Sequence, residues 1–121
     1  MKTLLIAAAV AFAPAAALAA DLSGAWTVNG AFGDEIKYTA ACTFKEDSAG
    51  KLSGGCRQQD ATADAPATGA VDGSKVEFAY DTTYQGSPYH LDYKGDLQAD
   101  GTISGTVDAG GPQGVFTAKR P

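Results

Sequence analysis

The side chains that could do chemistry in this sequence are few and scattered. His90 is the single histidine, two places before Asp92. Acid–base catalysis wants a second group to orient the imidazole, and a metal site wants further ligands beside it. Neither is in view, so a solvated surface histidine accounts for it. Ser53 and Ser104 stand in Ser-Gly steps with no base at a readable spacing to activate a hydroxyl. Asp72-Gly73 and Asp100-Gly101 are turn dipeptides before they are calcium ligands. Cys42 and Cys56 lack the C-x-x-C spacing that tunes a redox thiol. The expectation is a protein that is not an enzyme, with no catalytic residues, no metal and no cofactor.

What remains is aromatic. The chain has five tyrosines, Tyr38, Tyr80, Tyr84, Tyr89 and Tyr93, and one tryptophan, Trp26. Tyrosine buries its ring but wants a partner for its hydroxyl. Rings lining a cavity with a few polar tips are what small-molecule sites usually present. The competing expectation is that the hydroxyls bond one another or reach water at the mouths of the fold. Trp26 reads first as a core residue closing one end, and second as a stacking platform for a ligand.

These residues are placed by strands. From Ile36 to Phe44 the even positions read Ile, Tyr, Ala, Cys, Phe; from Val76 to Tyr84 they read Val, Phe, Tyr, Thr, Tyr. From Tyr89 to Leu97 the odd positions read Tyr, Leu, Tyr, Gly, Leu, between His90, Asp92, Lys94 and Asp96. A period of two marks a half-buried strand with one wet face. All five tyrosines fall on the inward face. Turn chemistry at Gly33-Asp34, Asp47 to Gly50, Asp72-Gly73, Gln85 to Pro88, Asp100-Gly101 and Gly110 to Pro112 separates the runs. The strands expected are 24–32, 35–46, 51–59, 67–72, 75–84, 89–98, 102–108 and 114–120, with one longer loop over 60–67.

Register follows by pairing apolar with apolar. Across the turn at 85–88, Tyr84 would face Tyr89, Tyr80 would face Tyr93 and Val76 would face Leu97. Leu97 would face Ile103, and Tyr93 would face Val107. Phe44 would meet Gly54, and Cys42 would meet Cys56, within reach of a cross-strand disulfide. The echo of Gly50-Lys51-Leu52-Ser53-Gly54 in Gly101-Thr102-Ile103-Ser104-Gly105 puts a glycine inside each strand, where barrels bend. About eight antiparallel strands with short sequential hairpins imply an all-β, up-and-down barrel. A sandwich is the alternative, but it needs long crossovers that only 60–67 could supply.

Residues 1–19 carry Lys2, an apolar run from Leu4 to Phe12, a break at Pro14 and the small residues Ala17 and Ala19 around Leu18. That is the pattern of a cleaved signal peptide; a spanning helix needs about 20 unbroken apolar residues. Residues 20–121 would then be the single working domain, periplasmic or extracellular, with no membrane span. An oxidising compartment turns the two cysteines into one staple for a small core. Without Lys2, eight Lys and Arg stand against fourteen Asp and Glu, a net charge of −6. That balance argues against nucleic acid and anionic membranes, which need clustered cations.

Leu22-Ser23-Gly24-Ala25-Trp26, the Ser-Gly and Thr-Gly steps, and Gly114 to Arg120 at the end resemble the calycin-type barrels, avidins and lipocalins among them. The string Leu-Ser-Gly-x-Trp is also similar to one in the small barrel inhibitors of alkaline-type metalloproteases. The first resemblance implies a small apolar or aromatic ligand inside the barrel. Biotin is not implied, because the further tryptophans of avidins are missing. The second implies a protein partner, such as an extracytoplasmic hydrolase, engaged through 60–67 and 85–88. Little chain precedes Trp26 to serve as the inhibitors' trunk.

Overall fold

Alternating side chains give eight strands, and hiding one apolar face closes them into a barrel. The computed structural model describes residues 21–121; the expected leader, 1–19, lies outside the described residues. The strands are β1 (Gly24–Phe32), β2 (Ile36–Glu46), β3 (Lys51–Gln58), β4 (Ala65–Asp72), β5 (Lys75–Tyr84), β6 (Ser87–Leu97), β7 (Ile103–Asp108) and β8 (Gln113–Lys119). Each pairs antiparallel with the next, and β8 returns to β1, so the sheet has no outer edge along the shared length. This up-and-down architecture is compatible with the calycin type.

The inward face is filled by a repeated pairing of an aromatic with a glycine. Phe44 lies opposite Gly54, Phe78 opposite Gly69, Phe116 opposite Gly105, and Tyr38 opposite Gly30. A side chain at Gly69 would overlap the Glu77 carbonyl oxygen and the Phe78 side chain. The glycine steps that echo along the sequence therefore make room for rings on neighbouring strands. Cys42 and Cys56 face each other and form the disulfide, which fits an oxidising, non-cytoplasmic location.

Two expectations need correction. The β5–β6 turn is the two residues Gln85-Gly86, both at positive φ (51° and 84°), as a tight hairpin requires. Ser87 and Pro88 belong to β6. The register is therefore shifted by two: Tyr84 faces Ser87, Thr82 faces Tyr89, Tyr80 faces Leu91, and Tyr93 faces Phe78. A shift of two preserves which face each residue occupies. Likewise β4 begins at Ala65, so the loop is shorter than 60–67 and Pro66 lies within the strand.

That hairpin also outgrows its neighbours. β4 pairs with β5 only as far as Ala79, and β7 reaches β6 only at Asp92. Residues from Asp81 to His90 thus form a two-stranded ribbon above the barrel wall. Pro88, without an amide hydrogen, sits where β6 has no β7 partner to satisfy.

The opposite end is sealed. Leu22 is buried under the barrel, and the Trp26 indole N–H donates to its carbonyl oxygen at 2.9 Å. The Arg120 guanidinium lies 4.2 Å from the Trp26 ring and donates to the carbonyls of Asp21 and Ser23. Glu46 Oε1 accepts the Leu22 amide at 2.9 Å.

Candidate functional site

At the end carrying the β1–β2, β3–β4, β5–β6 and β7–β8 turns, the barrel stays hollow. The cavity there holds about 470 Å³. Phe32, Ile36 and Leu91 supply its apolar wall, and Tyr38 and Gln58 its polar floor. Tyr84 and Tyr89, on the projecting ribbon, form the lip; they are 44% and 36% exposed, the only large aromatics so uncovered among the described residues. Inward-facing residues close to a turn stand above the packed layers, which explains why these positions and not others line the cup.

The floor rests on a chain of hydroxyls. The Gln58 Nε2 amide donates to Tyr80 Oη at 3.2 Å. Tyr80 Oη and Tyr93 Oη are 2.8 Å apart, and Tyr93 Oη and Tyr38 Oη 2.7 Å. Burial disfavours the phenolate, so Tyr38 is pushed up to about 12, and Tyr80 is raised for the same first reason. Tyr93 is raised further, by burial and then by the two phenols beside it. The floor is neutral and hydrogen-bonded throughout the physiological range.

Below the floor the described core is packed ring against ring. Tyr93 stacks on Phe78 with centroids 4.4 Å apart and meets the edge of Phe116 at 5.0 Å. The expectation of a tyrosine-lined interior is thus corrected to half a barrel. Tyr38, Tyr84 and Tyr89 line the cup. Tyr80 and Tyr93 are core residues that touch it only through the hydroxyl chain. Trp26 lies at the sealed end, away from the cup, where it covers the core. Reading residue types by face overlooked Phe32, Ile36, Gln58 and Leu91. Their signal was inward parity next to a turn at the open end.

His90 is exposed on the outer face of the ribbon. Its Nδ1 is 2.7 Å from Asp81 Oδ1, directly across the hairpin, and its Nε2 is 3.5 Å from Asp92. Hydrogen bonding to Asp81 raises its pKa, and the charge of Asp92 adds to this. A second hollow, of about 650 Å³, is a groove on the outer wall over Gly30 and Gly105, flanked by Asn29, Ser104 and Val115. Its polar lining is on the outer face, where the Thr39 hydroxyl donates to Asn29 Oδ1 and the Thr39 amide to Gln59 Oε1. Comparison with protein-family models, curated proteins and solved structures finds no match to this chain.

Proposed function

We propose that this protein is an exported, non-catalytic carrier or sensor of a small, partly apolar molecule, of calycin type, acting in the periplasm or medium. The observation that carries this reading is the cup: an open cavity of about 470 Å³ with apolar walls, an aromatic lip and a small polar floor. Its volume lies in the range of small-molecule sites, roughly 300–1,000 Å³.

The test is titration of the purified protein with a hydrophobic fluorescent dye, beside native mass spectrometry for a co-purifying molecule. Saturable one-to-one dye binding that Thr82→Trp abolishes, by filling the cup, supports the reading. Binding that survives that substitution, or no binding at all, overturns it.

A second reading, a protein-binding module such as a hydrolase inhibitor, draws on the loop after Gln58 and the turn Gln85-Gly86, which share the cup's rim. Against a trunk that plugs a protease cleft stands the docking of residues 21–23 on the sealed end, with Leu22 buried and Asp21 and Ser23 bonded to Arg120. A pull-down whose partner is lost on replacing Tyr84 and Gln85, with dye binding absent, would favour this second reading.

A further inference from the structure

The direction of the hydroxyl chain decides what the cup accepts. A phenol has one proton to give and lone pairs to receive. Tyr80 Oη already accepts from Gln58 Nε2, and its remaining contact is Tyr93 Oη. Tyr80 is 2% exposed, so its own proton must go to Tyr93 or go unbonded in the core, at the cost of a buried unsatisfied donor. Tyr93, fully buried, then accepts from Tyr80 and has only Tyr38 Oη left to donate to. Tyr38 receives that bond. Its proton has no partner among the described residues, and Tyr38 borders both the cup and, across Gly30, the outer groove. The bonds therefore run Gln58 to Tyr80 to Tyr93 to Tyr38, and the chain ends in a Tyr38 proton with no protein partner among the described residues; Gln58, at the other end, keeps its second N–H and its Oε1 at the cup floor.

Tyr38 is held in that pose from behind. It lies across Gly30, where any side chain would overlap its ring and hydroxyl. It also packs against Phe32, with centroids 6.1 Å apart. Around it the cup offers apolar wall. Lys37 and Asp60 at the rim offset one another, and no charged group is buried among the described residues.

Building on the ligand-binding reading above, we infer that the cup takes a neutral molecule with a ring-sized apolar body and one hydrogen-bond acceptor oxygen, such as a ketone, seated oxygen-first on Tyr38 Oη. The body then lies between Ile36, Leu91 and the Tyr84–Tyr89 lip. A net gain of one hydrogen bond is worth a factor of about 5 in affinity.

The inference is tested with three probes of similar size: 2-acetylnaphthalene, which offers an acceptor; 2-ethylnaphthalene, which offers neither donor nor acceptor; and indole, which offers a donor. Isothermal titration should show the acetyl compound about 5-fold tighter than the ethyl compound. Tyr38→Phe should bring the two to parity. Gln58→Glu supplies a carboxylate that can only accept, so all three bonds reverse and Tyr38 turns a lone pair to the cup. In that variant indole should gain on 2-acetylnaphthalene by about 5-fold or more, with the circular dichroism spectrum unchanged, and adding Tyr38→Phe should remove the gain; a gain that survives Tyr38→Phe comes from the carboxylate itself and counts against the reversal. Equal binding of the acetyl and ethyl probes by the native protein, or a preference that Tyr38→Phe leaves intact, overturns the inference while leaving the cup a binding site. Binding of no probe overturns the cup as a ligand site altogether.

Discussion

The two ends of the barrel use the same strands and the same alternation of side chains, yet one is shut and the other open. At the shut end Leu22, Trp26 and Arg120 are drawn together by carbonyl hydrogen bonds and a cation–π contact, and the layers above are packed ring against ring. At the open end the ribbon from Asp81 to His90 rises past its neighbours, and its aromatics, Tyr84 and Tyr89, stand over empty volume. Closing a sheet does not by itself fill it. Filling comes where an aromatic on one strand meets a glycine on the next, and that pairing is dense from Phe44 down through Phe116. It occurs once near the open end, at Tyr38 and Gly30, where the ring becomes a floor and not a plug.

Substitutions sharpen this contrast, and the largest effect falls in the packed half. Phe78 touches Phe44, Tyr93 and Phe116, so Phe78→Ala should cost about 3–5 kcal/mol in urea unfolding. Replacing both Cys42 and Cys56 with alanine frees a loop closed over 14 positions and should cost about 3 kcal/mol by the same measurement. Tyr93→Phe, at the boundary, strands the Tyr80 proton and should cost about 1–3 kcal/mol. The lip is the opposite case. Tyr84→Ser and Tyr89→Ser should each shift stability by about 0.5–1 kcal/mol while weakening dye binding, since both side chains lie outside the packed core. A lip substitution as costly as Phe78→Ala would erase the distinction between the ends.

Alkaline titration probes the boundary by another route. The folded Tyr38 phenol titrates near 12 against an ordinary value of 10.0. Its protonated form is therefore favoured by folding. That stability is complete below pH 10 and is lost as pH rises through 12. Tyr80 and Tyr93 shift the same way and reinforce it. Tyrosinate absorbance from these three should appear together with unfolding, not before it. His90 gives the weakest signal, with the same sign but in a lower pH window. Its raised pKa means that the ribbon's Asp81–His90 pair contributes below the ordinary value of 6.5 and is lost as pH rises past the folded value, a small effect to be followed by NMR of the ring protons.

Most of the fold was legible in the sequence. Period two reveals β2, β5 and β6, turn residues mark off the other strands, and Cys42 opposite Cys56, Phe44 opposite Gly54 and Leu97 opposite Ile103 follow from matching apolar positions across those turns. Depth along the barrel was less legible. Parity says that Tyr93 and Tyr89 both point inward; it does not say that one meets Phe78 in the core while the other overhangs the mouth. Ser87-Pro88 reads as turn residues because both favour turns, but a free ribbon edge tolerates them within a strand. Gln58 carries no aromatic or charged signature, so its part in the floor emerges only once Tyr80 is beside it.

The seam between β1 and β8 bears on how the chain folds. Thr27 pairs with Lys119 and Val28 with Ala118, positions roughly 90 residues apart in the chain. Every other seam joins sequence neighbours and can form as soon as its hairpin does. The last seam waits for nearly the whole chain, so its contacts are the most nonlocal in the fold. Folding should therefore be slow for so small a domain, in the millisecond-to-second regime of nonlocal β topologies. Until β8 docks, β1 keeps an unpaired edge, and in that interval the molecule is most open to pairing with another copy of itself.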